Sequence, residues 1–102
     1  PWVIEGQGSL AIEAEAQLDA AAGARFDTVI ACCGGGGLSS GIALALPETR
    51  LFAVEPEGWD DVKRSLESGS IERVSNPPHT ACDALQTPAT YPINFAVLSG
   101  RG

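Results

Sequence analysis

The segment ACCGGGGLSSG, residues 31–41, is the most informative part of the chain, because it places four consecutive glycines between two apolar stretches. Glycine loses more conformational freedom on folding than any other residue, so a plain connecting loop rarely uses four in a row. The preceding residues 26–33, FDTVIACC, are typical of a strand buried on both faces of a parallel sheet. The following residues 38–46, LSSGIALAL, predict a short apolar helix that ends before Pro47. The glycines therefore join a strand to a helix.

Four further segments continue the alternation of helices and strands. The first is rich in alanine, leucine and glutamate at helical spacing, and Gly23 provides its stop. That first segment is residues 9–22. The second, residues 50–54, is a short apolar run typical of another buried strand, and the third, residues 58–68, is a polar helix with two aspartates near its start. A turn at residues 76–78 follows, and the last segment, residues 91–98, begins another helix. This order predicts an α/β fold, with a parallel sheet, right-handed crossovers and flanking helices.

The composition limits the classes of partner. A chain of 102 residues with 44 % apolar and 19 % charged residues is typical of one globular domain. Its 13 acidic and 6 basic residues give a net charge of −7, which argues against nucleic acid or an anionic membrane as a partner. The cysteines Cys32, Cys33 and Cys82 match neither a secreted disulfide framework nor, with the single His79, a zinc site. We interpret them as reduced thiols of a cytoplasmic protein.

The position of the glycines between a strand and a helix indicates a phosphate site. Such a loop exposes backbone N–H groups at the positive end of the helix dipole, and side chains there would block the approach of phosphate oxygens. The P-loop pattern requires a lysine that does not follow Gly37, and the dinucleotide pattern GxGxxG fails at Ser39. The glycines therefore predict a phosphate site outside these two classes, with a purely structural loop as the alternative.

Four segments of the chain, residues 3–13, 34–46, 52–61 and 76–88, occur in the same order as in one known family. Together they resemble the pyridoxal-phosphate-dependent serine/threonine dehydratases and serine racemases of fold type II. The resemblance implies part of the large domain of a fold-type II enzyme, similar to the tryptophan synthase β chain. In that family the tetraglycine loop holds the cofactor phosphate through backbone amides. The matching residues here are Gly34, Gly35, Gly36, Gly37 and Leu38.

The resemblance also identifies functional groups that residues 1–102 lack. The family's cofactor-bearing lysine lies in an N-terminal Ser-x-Lys segment, and the residue that meets the pyridine nitrogen lies beyond Gly102. We therefore interpret the chain as a partial pyridoxal-phosphate-binding domain, without the N-terminal lysine-bearing part and the C-terminal end. Lys63 supplies an amine, but its charged neighbours on a polar helix favour a solvated surface charge. We assign no catalytic residue within the chain.

An acidic loop follows the second predicted strand. Carboxylates and backbone carbonyls on a tight loop are ligands that hard divalent cations prefer, although acidic residues also suit a helix N-terminus without any cation. Enzymes similar to the serine racemases bind Mg²⁺ or Ca²⁺ with a glutamate, a backbone carbonyl and an aspartate. The resemblance implies Glu55, the carbonyl of Trp59, and Asp61 as these ligands.

The function that the resemblance implies is a pyridoxal-phosphate-dependent threonine or serine ammonia-lyase, which gives ammonia and a 2-oxo acid. Its substrate would be a small amino acid, and the full-length enzyme would form a homodimer or a higher homo-oligomer. Serine racemase, hydroxyaspartate dehydratase and a non-catalytic anion-binding α/β module remain as alternatives. The sequence does not distinguish serine, threonine and hydroxyaspartate, because the family's contacts to the substrate carboxylate lie mainly in the N-terminal part.

Overall fold

Helices and strands alternate through residues 2–68, and only helical elements follow, within residues 2–101, which are the residues that the computed structural model describes. The elements are α1 (Trp2–Ala22), β1 (Thr28–Cys32), α2 (Gly37–Ala45), β2 (Arg50–Val54), α3 (Asp61–Ser68), a single 3₁₀ turn (Asp83–Leu85) and α4 (Pro92–Arg101). This confirms the predicted α/β order. None of these helices combines the length and apolar character that a bilayer-crossing segment requires.

The two strands form a parallel pair, with α2 as the crossover between them. Their register runs from Thr28 opposite Arg50 to Cys32 opposite Val54. The carboxyl ends of both strands therefore lie at the same edge of the sheet, where α/β proteins place their ligands. A hydrogen bond from the N–H of Cys33 to the carbonyl of Val54, at 2.8 Å, continues the pairing past the end of β1. The segments that follow the two strands thus begin side by side.

The crossing of α1 and α2 fixes the position of α2. A Cβ atom built on Gly41 would lie 2.6 Å from the backbone nitrogen of Gly8 and 2.7 Å from the carbonyl oxygen of Ile4. The two helix backbones therefore touch directly. Beside this contact, Ala11 and Ile42 belong to one buried apolar cluster. Because α2 begins at the glycine loop, this packing also holds the loop in place.

Three helix boundaries differ from the prediction for physical reasons. Helix α1 begins at Trp2, well before residue 9, because Gly8 is buried against α2 and this packing outweighs the weak helix propensity of glycine. Helix α3 begins at Asp61 and not at residue 58, because Gly58 has a left-handed backbone, with φ of +79°. Helix α4 begins at Pro92 and continues beyond residue 98.

The prediction that both strands are buried on both faces is wrong for this chain. Alternate strand residues point to opposite faces of a sheet. Val29 and Leu51 pack against the apolar cluster under α2, whereas the paired residues Ile30 and Phe52 are 71 % and 54 % exposed. A strand is buried on both faces only when a second layer covers it. Among the described residues, the outward face lacks such a cover.

Candidate functional site

The glycine loop leads from the carboxyl edge of the sheet into α2. Gly36 is the N-cap residue, with φ of +98°, and no side chain caps the helix. The first turn of any helix leaves its N–H groups without intrahelical partners. Within the described part of the chain, the N–H groups of residues 34–39 donate no hydrogen bond, and the bond from Ser40 to the Gly36 carbonyl, at 2.8 Å, is the first at this end. The loop and the first turn of α2 therefore contain a run of backbone donors without protein partners.

Packing leaves little room for a side chain at only two of the four positions. A Cβ on Gly36 would lie 3.3 Å from Asn94 Cβ, and the left-handed backbone there also disfavours other residues. A Cβ on Gly34 would come within 3.2 Å of a side-chain oxygen. At Gly35 and Gly37, in contrast, the nearest atoms are at 3.6 Å, an ordinary contact, and neither residue has a positive φ. Neither packing nor backbone conformation explains why positions 35 and 37 are glycine.

The first turn of α4 and the residues just before it support the loop from behind. The Thr90 hydroxyl donates a hydrogen bond of 2.7 Å to the carbonyl oxygen of Gly35, and Asn94 Nδ2 donates one of 2.9 Å to the same atom. Both side chains are buried. Neither residue is predicted from the sequence as part of the site. The available signal is their i, i+4 spacing across the start of a predicted apolar helix, where two polar residues share one face.

The second predicted site lies beside the first, after β2. The carboxylate of Glu55 accepts hydrogen bonds from the N–H of Val62, at 3.0 Å, and of Lys63, at 3.1 Å. Glu55 therefore caps the first turn of α3. Acidic residues can cap a helix N-terminus in this way without binding a cation. Lys63 is exposed on this helix, in agreement with its interpretation as a surface charge.

Asp61 is the least satisfied polar group near this loop. Only 1 % of the residue is exposed, and its Oδ2 has no hydrogen-bond partner among the described residues. Burial raises the pKa of both Asp61 and Glu55, and the negative charge of Asp61 adds to the rise at Glu55. Within residues 2–101, no three histidine, cysteine, aspartate or glutamate side chains are grouped so that they could hold a metal ion. The predicted ligand set of two carboxylates and the Trp59 carbonyl stays a prediction.

Trp59 connects this acidic loop to the long irregular segment before α4. Its indole Nε1 donates a hydrogen bond of 2.9 Å to the carbonyl oxygen of Pro78, and its backbone N–H bonds the Pro56 carbonyl at the same distance. Pro78 also lies directly over Gly58, where a Cβ atom would not fit. The backbone between Glu55 and Asp61 is therefore held in a tight, defined turn.

Cys33 lies between the two predicted sites and is not a nucleophile. Burial raises the pKa of its thiol to about 11, and the nearby carboxylates of Glu55 and Asp61 add to the rise. The Ser39 hydroxyl beside the thiol lowers this pKa and so offsets part of the rise, although the two groups do not form a well-aligned hydrogen bond. The thiol is therefore protonated at neutral pH and unreactive. Its role is to pack where the strand ends.

The family model for pyridoxal-phosphate-dependent enzymes matches residues 1–102. The chain belongs to this family. Among its curated relatives, the beta-hydroxyaspartate dehydratase of Paracoccus denitrificans is 44 % identical over 92 residues, which cover 86 % of the chain and 27 % of that protein. The L-threo-3-hydroxyaspartate ammonia-lyase of Saccharomyces cerevisiae is 38 % identical over 102 residues, covering 96 % of the chain and 29 % of that protein.

Solved structures of this pyridoxal-phosphate-dependent family share the fold. The T.th. threonine deaminase superposes with a TM-score of 0.89 and 41 % identity, over 96 % of this chain and 37 % of that one. Maize serine racemase superposes with a TM-score of 0.84 and 32 % identity, over 97 % of this chain and 30 % of that one. The α/β fold and the family resemblance predicted from the sequence are thereby confirmed. The chain spans about three-tenths of the length of the curated relatives it matches.

Proposed function

We propose that residues 34–38 bind the phosphate of pyridoxal 5′-phosphate, in an enzyme that converts serine or threonine into ammonia and a 2-oxo acid. The observation that carries the phosphate site is the presence of glycine at positions 35 and 37, where neither packing nor backbone conformation requires it. A ligand that must approach the backbone closely explains both. The free N–H groups of the same loop supply the donors that such a ligand needs.

The loop fits a phosphate monoester in charge and in hydrogen-bond capacity. A phosphate dianion offers several strong acceptor oxygens, and it is stabilised at the positive end of a helix dipole. Leu38 would contribute only its N–H group, because its side chain packs against the apolar cluster between α1 and α2. The helix contact at Gly8 and Gly41 would keep the donors in place before the ligand arrives.

Pyridoxal phosphate, when bound, supplies an electron sink for the bonds at the α-carbon of an amino acid. Residues 34–38 would anchor the phosphate and thereby fix the position of the ring. The buried thiol of Cys33 would exclude water at the base of the site without exchanging a proton. We place the lysine that carries the cofactor in a part of the protein outside residues 1–102.

Hydroxyaspartate is the second candidate substrate. It is favoured by the 44 % identity to a beta-hydroxyaspartate dehydratase and the 38 % identity to a hydroxyaspartate ammonia-lyase. Serine racemisation is the remaining alternative. Incubating the whole protein with L-serine, L-threonine and L-threo-3-hydroxyaspartate distinguishes them, since the first two acids give pyruvate and 2-oxobutyrate, the third gives oxaloacetate, and a racemase gives D-serine. We further propose a cytoplasmic homo-oligomer with no nucleic-acid or membrane partner.

We also propose a Mg²⁺ or Ca²⁺ site at Glu55, the Trp59 carbonyl and Asp61. The unpaired, buried Oδ2 of Asp61 fits this role, because a buried carboxylate oxygen without a partner is costly and a cation would satisfy it. Each oxygen of Glu55 accepts one hydrogen bond and keeps a second lone pair for a cation. Water would supply the remaining ligands.

Alanine substitutions in the glycine loop test the phosphate site. Gly35→Ala and Gly37→Ala each place a methyl group at ordinary van der Waals distance, 3.6 Å, from its nearest neighbour, so the free energy of unfolding should stay the same within about 0.5 kcal/mol or rise slightly. Their affinity for pyridoxal phosphate should fall, whereas their affinity for pyridoxal, which has no phosphate, should not. Gly6→Ala, where no atom lies within 4 Å of the new methyl group, is the matched control. Unchanged affinity for pyridoxal phosphate in both loop variants would refute the proposal.

A further inference from the structure

The orientation of one peptide bond in the glycine loop is set from outside the loop. The carbonyl oxygen of Gly35 accepts hydrogen bonds from Thr90 Oγ1 at 2.7 Å and from Asn94 Nδ2 at 2.9 Å. A carbonyl oxygen has two lone pairs, so these donors satisfy it completely. Both donors come from buried side chains, 5 % and 6 % exposed, which hold them in place. The backbone that carries this carbonyl is flanked by glycines, which otherwise allow a peptide plane to rotate easily.

Fixing this carbonyl also fixes the neighbouring N–H group. No cis peptide bond occurs among the described residues, and in a planar trans peptide the C=O and N–H bonds point in opposite directions. The N–H of Gly36 therefore points away from Thr90 and Asn94. It has no hydrogen-bond partner among residues 2–101. The two hydrogen bonds to Gly35 thus keep a donor without a protein partner directed away from Thr90 and Asn94.

We propose that Thr90 and Asn94 are positioning residues for the cofactor phosphate, acting through the Gly35–Gly36 peptide. This inference rests on the proposed phosphate site and identifies the two hydrogen bonds that hold one of its backbone donors in position before the ligand binds. Hydrogen bonds to a carbonyl polarise the peptide, so the same two contacts strengthen the N–H of Gly36 as a donor. Without them, the peptide could rotate and present its carbonyl oxygen to the phosphate, and the two like partial charges would repel.

The test compares ligand affinities in the whole protein. Thr90→Val removes the hydroxyl while keeping the shape, and Asn94→Ala removes the second donor. Each should weaken binding of pyridoxal phosphate by about three- to tenfold, the usual worth of one hydrogen bond, with no change for pyridoxal. Thr90→Ser restores the donor and should recover the affinity. Thr87→Val is the control, because Thr87 lines Gly34 and Gly35 but donates to no loop carbonyl in the described part of the chain.

Two further measurements separate positioning from simple structural support. The ³¹P chemical shift of bound pyridoxal phosphate should move in Thr90→Val and Asn94→Ala and stay constant in Thr87→Val, since only the first two change a donor to the phosphate. Thermal unfolding of the ligand-free variants shows whether the fold is kept; if one variant does not fold, the other carries the test.

Three outcomes contradict these expectations in distinguishable ways. Equal weakening for pyridoxal and pyridoxal phosphate would overturn the positioning role, and so would variants that match Thr87→Val in both affinity and ³¹P shift. If the unaltered protein binds pyridoxal phosphate no better than pyridoxal, the proposed phosphate site itself is wrong, and the positioning role falls with it.

Discussion

Gly41→Ala should destabilise the protein through the contact between α1 and α2. The new methyl carbon would lie 2.6 Å from the nitrogen of Gly8 and 2.7 Å from the oxygen of Ile4, where ordinary contact begins at 3.4 Å. Both obstacles are backbone atoms, so no side chain can rotate away. The helices must therefore separate by about 0.8 Å, the difference between 3.4 and 2.6 Å.

The expected magnitude follows from two opposing effects. Overpacking of this kind costs about 1–3 kcal/mol, whereas replacing glycine by alanine inside a helix stabilises it by up to about 1 kcal/mol. The net loss of unfolding free energy should be about 1–2 kcal/mol, because the clash involves only backbone atoms of a rigid helix. Urea unfolding of the whole protein, followed by circular dichroism, measures this loss.

The matched control is Gly6→Ala, in the same helix pair but with open space around the new methyl group. This variant should be as stable as the unaltered protein or more stable by up to about 1 kcal/mol, because only the helix-propensity effect applies. If Gly41→Ala and Gly6→Ala unfold at the same urea concentration, the two helices do not touch through their backbones.

Three other predictions concern the chemistry of the chain. The isolated 102 residues should not convert serine or threonine into a 2-oxo acid, and in the whole protein Lys63→Ala should leave turnover unchanged; loss of turnover would make Lys63 catalytic. Glu55→Ala or Asp61→Ala should lower the Mg²⁺ or Ca²⁺ affinity measured by calorimetric titration, and Glu57→Ala should lower it much less; equal losses would exclude the cation site. Because burial raises the pKa of Asp61, the folded state holds its proton more tightly than the unfolded chain, so ionisation destabilises the metal-free fold as the pH rises. Asp61→Asn should therefore reduce the fall in stability as the pH rises above the ordinary aspartate pKa of 3.8, and an unchanged pH dependence would contradict the raised pKa.

The parts of the fold that depend on local sequence could be predicted. The bounds of β2 agree with the apolar run at residues 50–54, and α2 begins within one residue of the predicted start, because strand and helix patterns change abruptly at the glycines. The start of α1 could not be predicted in this way. Its second glycine acts through a partner on another helix, and nothing near Gly8 in the sequence indicates that partner.

The candidate site likewise has features that local sequence predicts and features that depend on contacts between distant residues. The glycine loop and the acidic loop are each contiguous, so their residue types and spacing are visible in the sequence. The support of Gly35 by Thr90 and Asn94 joins residues 55 and 59 positions apart, and only the packing of α4 against α2 brings them together. The unpaired oxygen of Asp61 likewise depends on burial by elements distant in the chain.

The outward face of the sheet affects how the isolated chain behaves in solution. Ile30, Phe52 and Val54 form adjacent exposed apolar surface on two paired strands, and contiguous apolar surface promotes association. Repulsion between molecules that each carry a net charge of −7 opposes this association at neutral pH. The repulsion disappears near the isoelectric point of about 4.4 and is screened by salt. The isolated chain should therefore stay dispersed at neutral pH and low ionic strength. It should precipitate when the pH approaches the isoelectric point or when the salt concentration is raised.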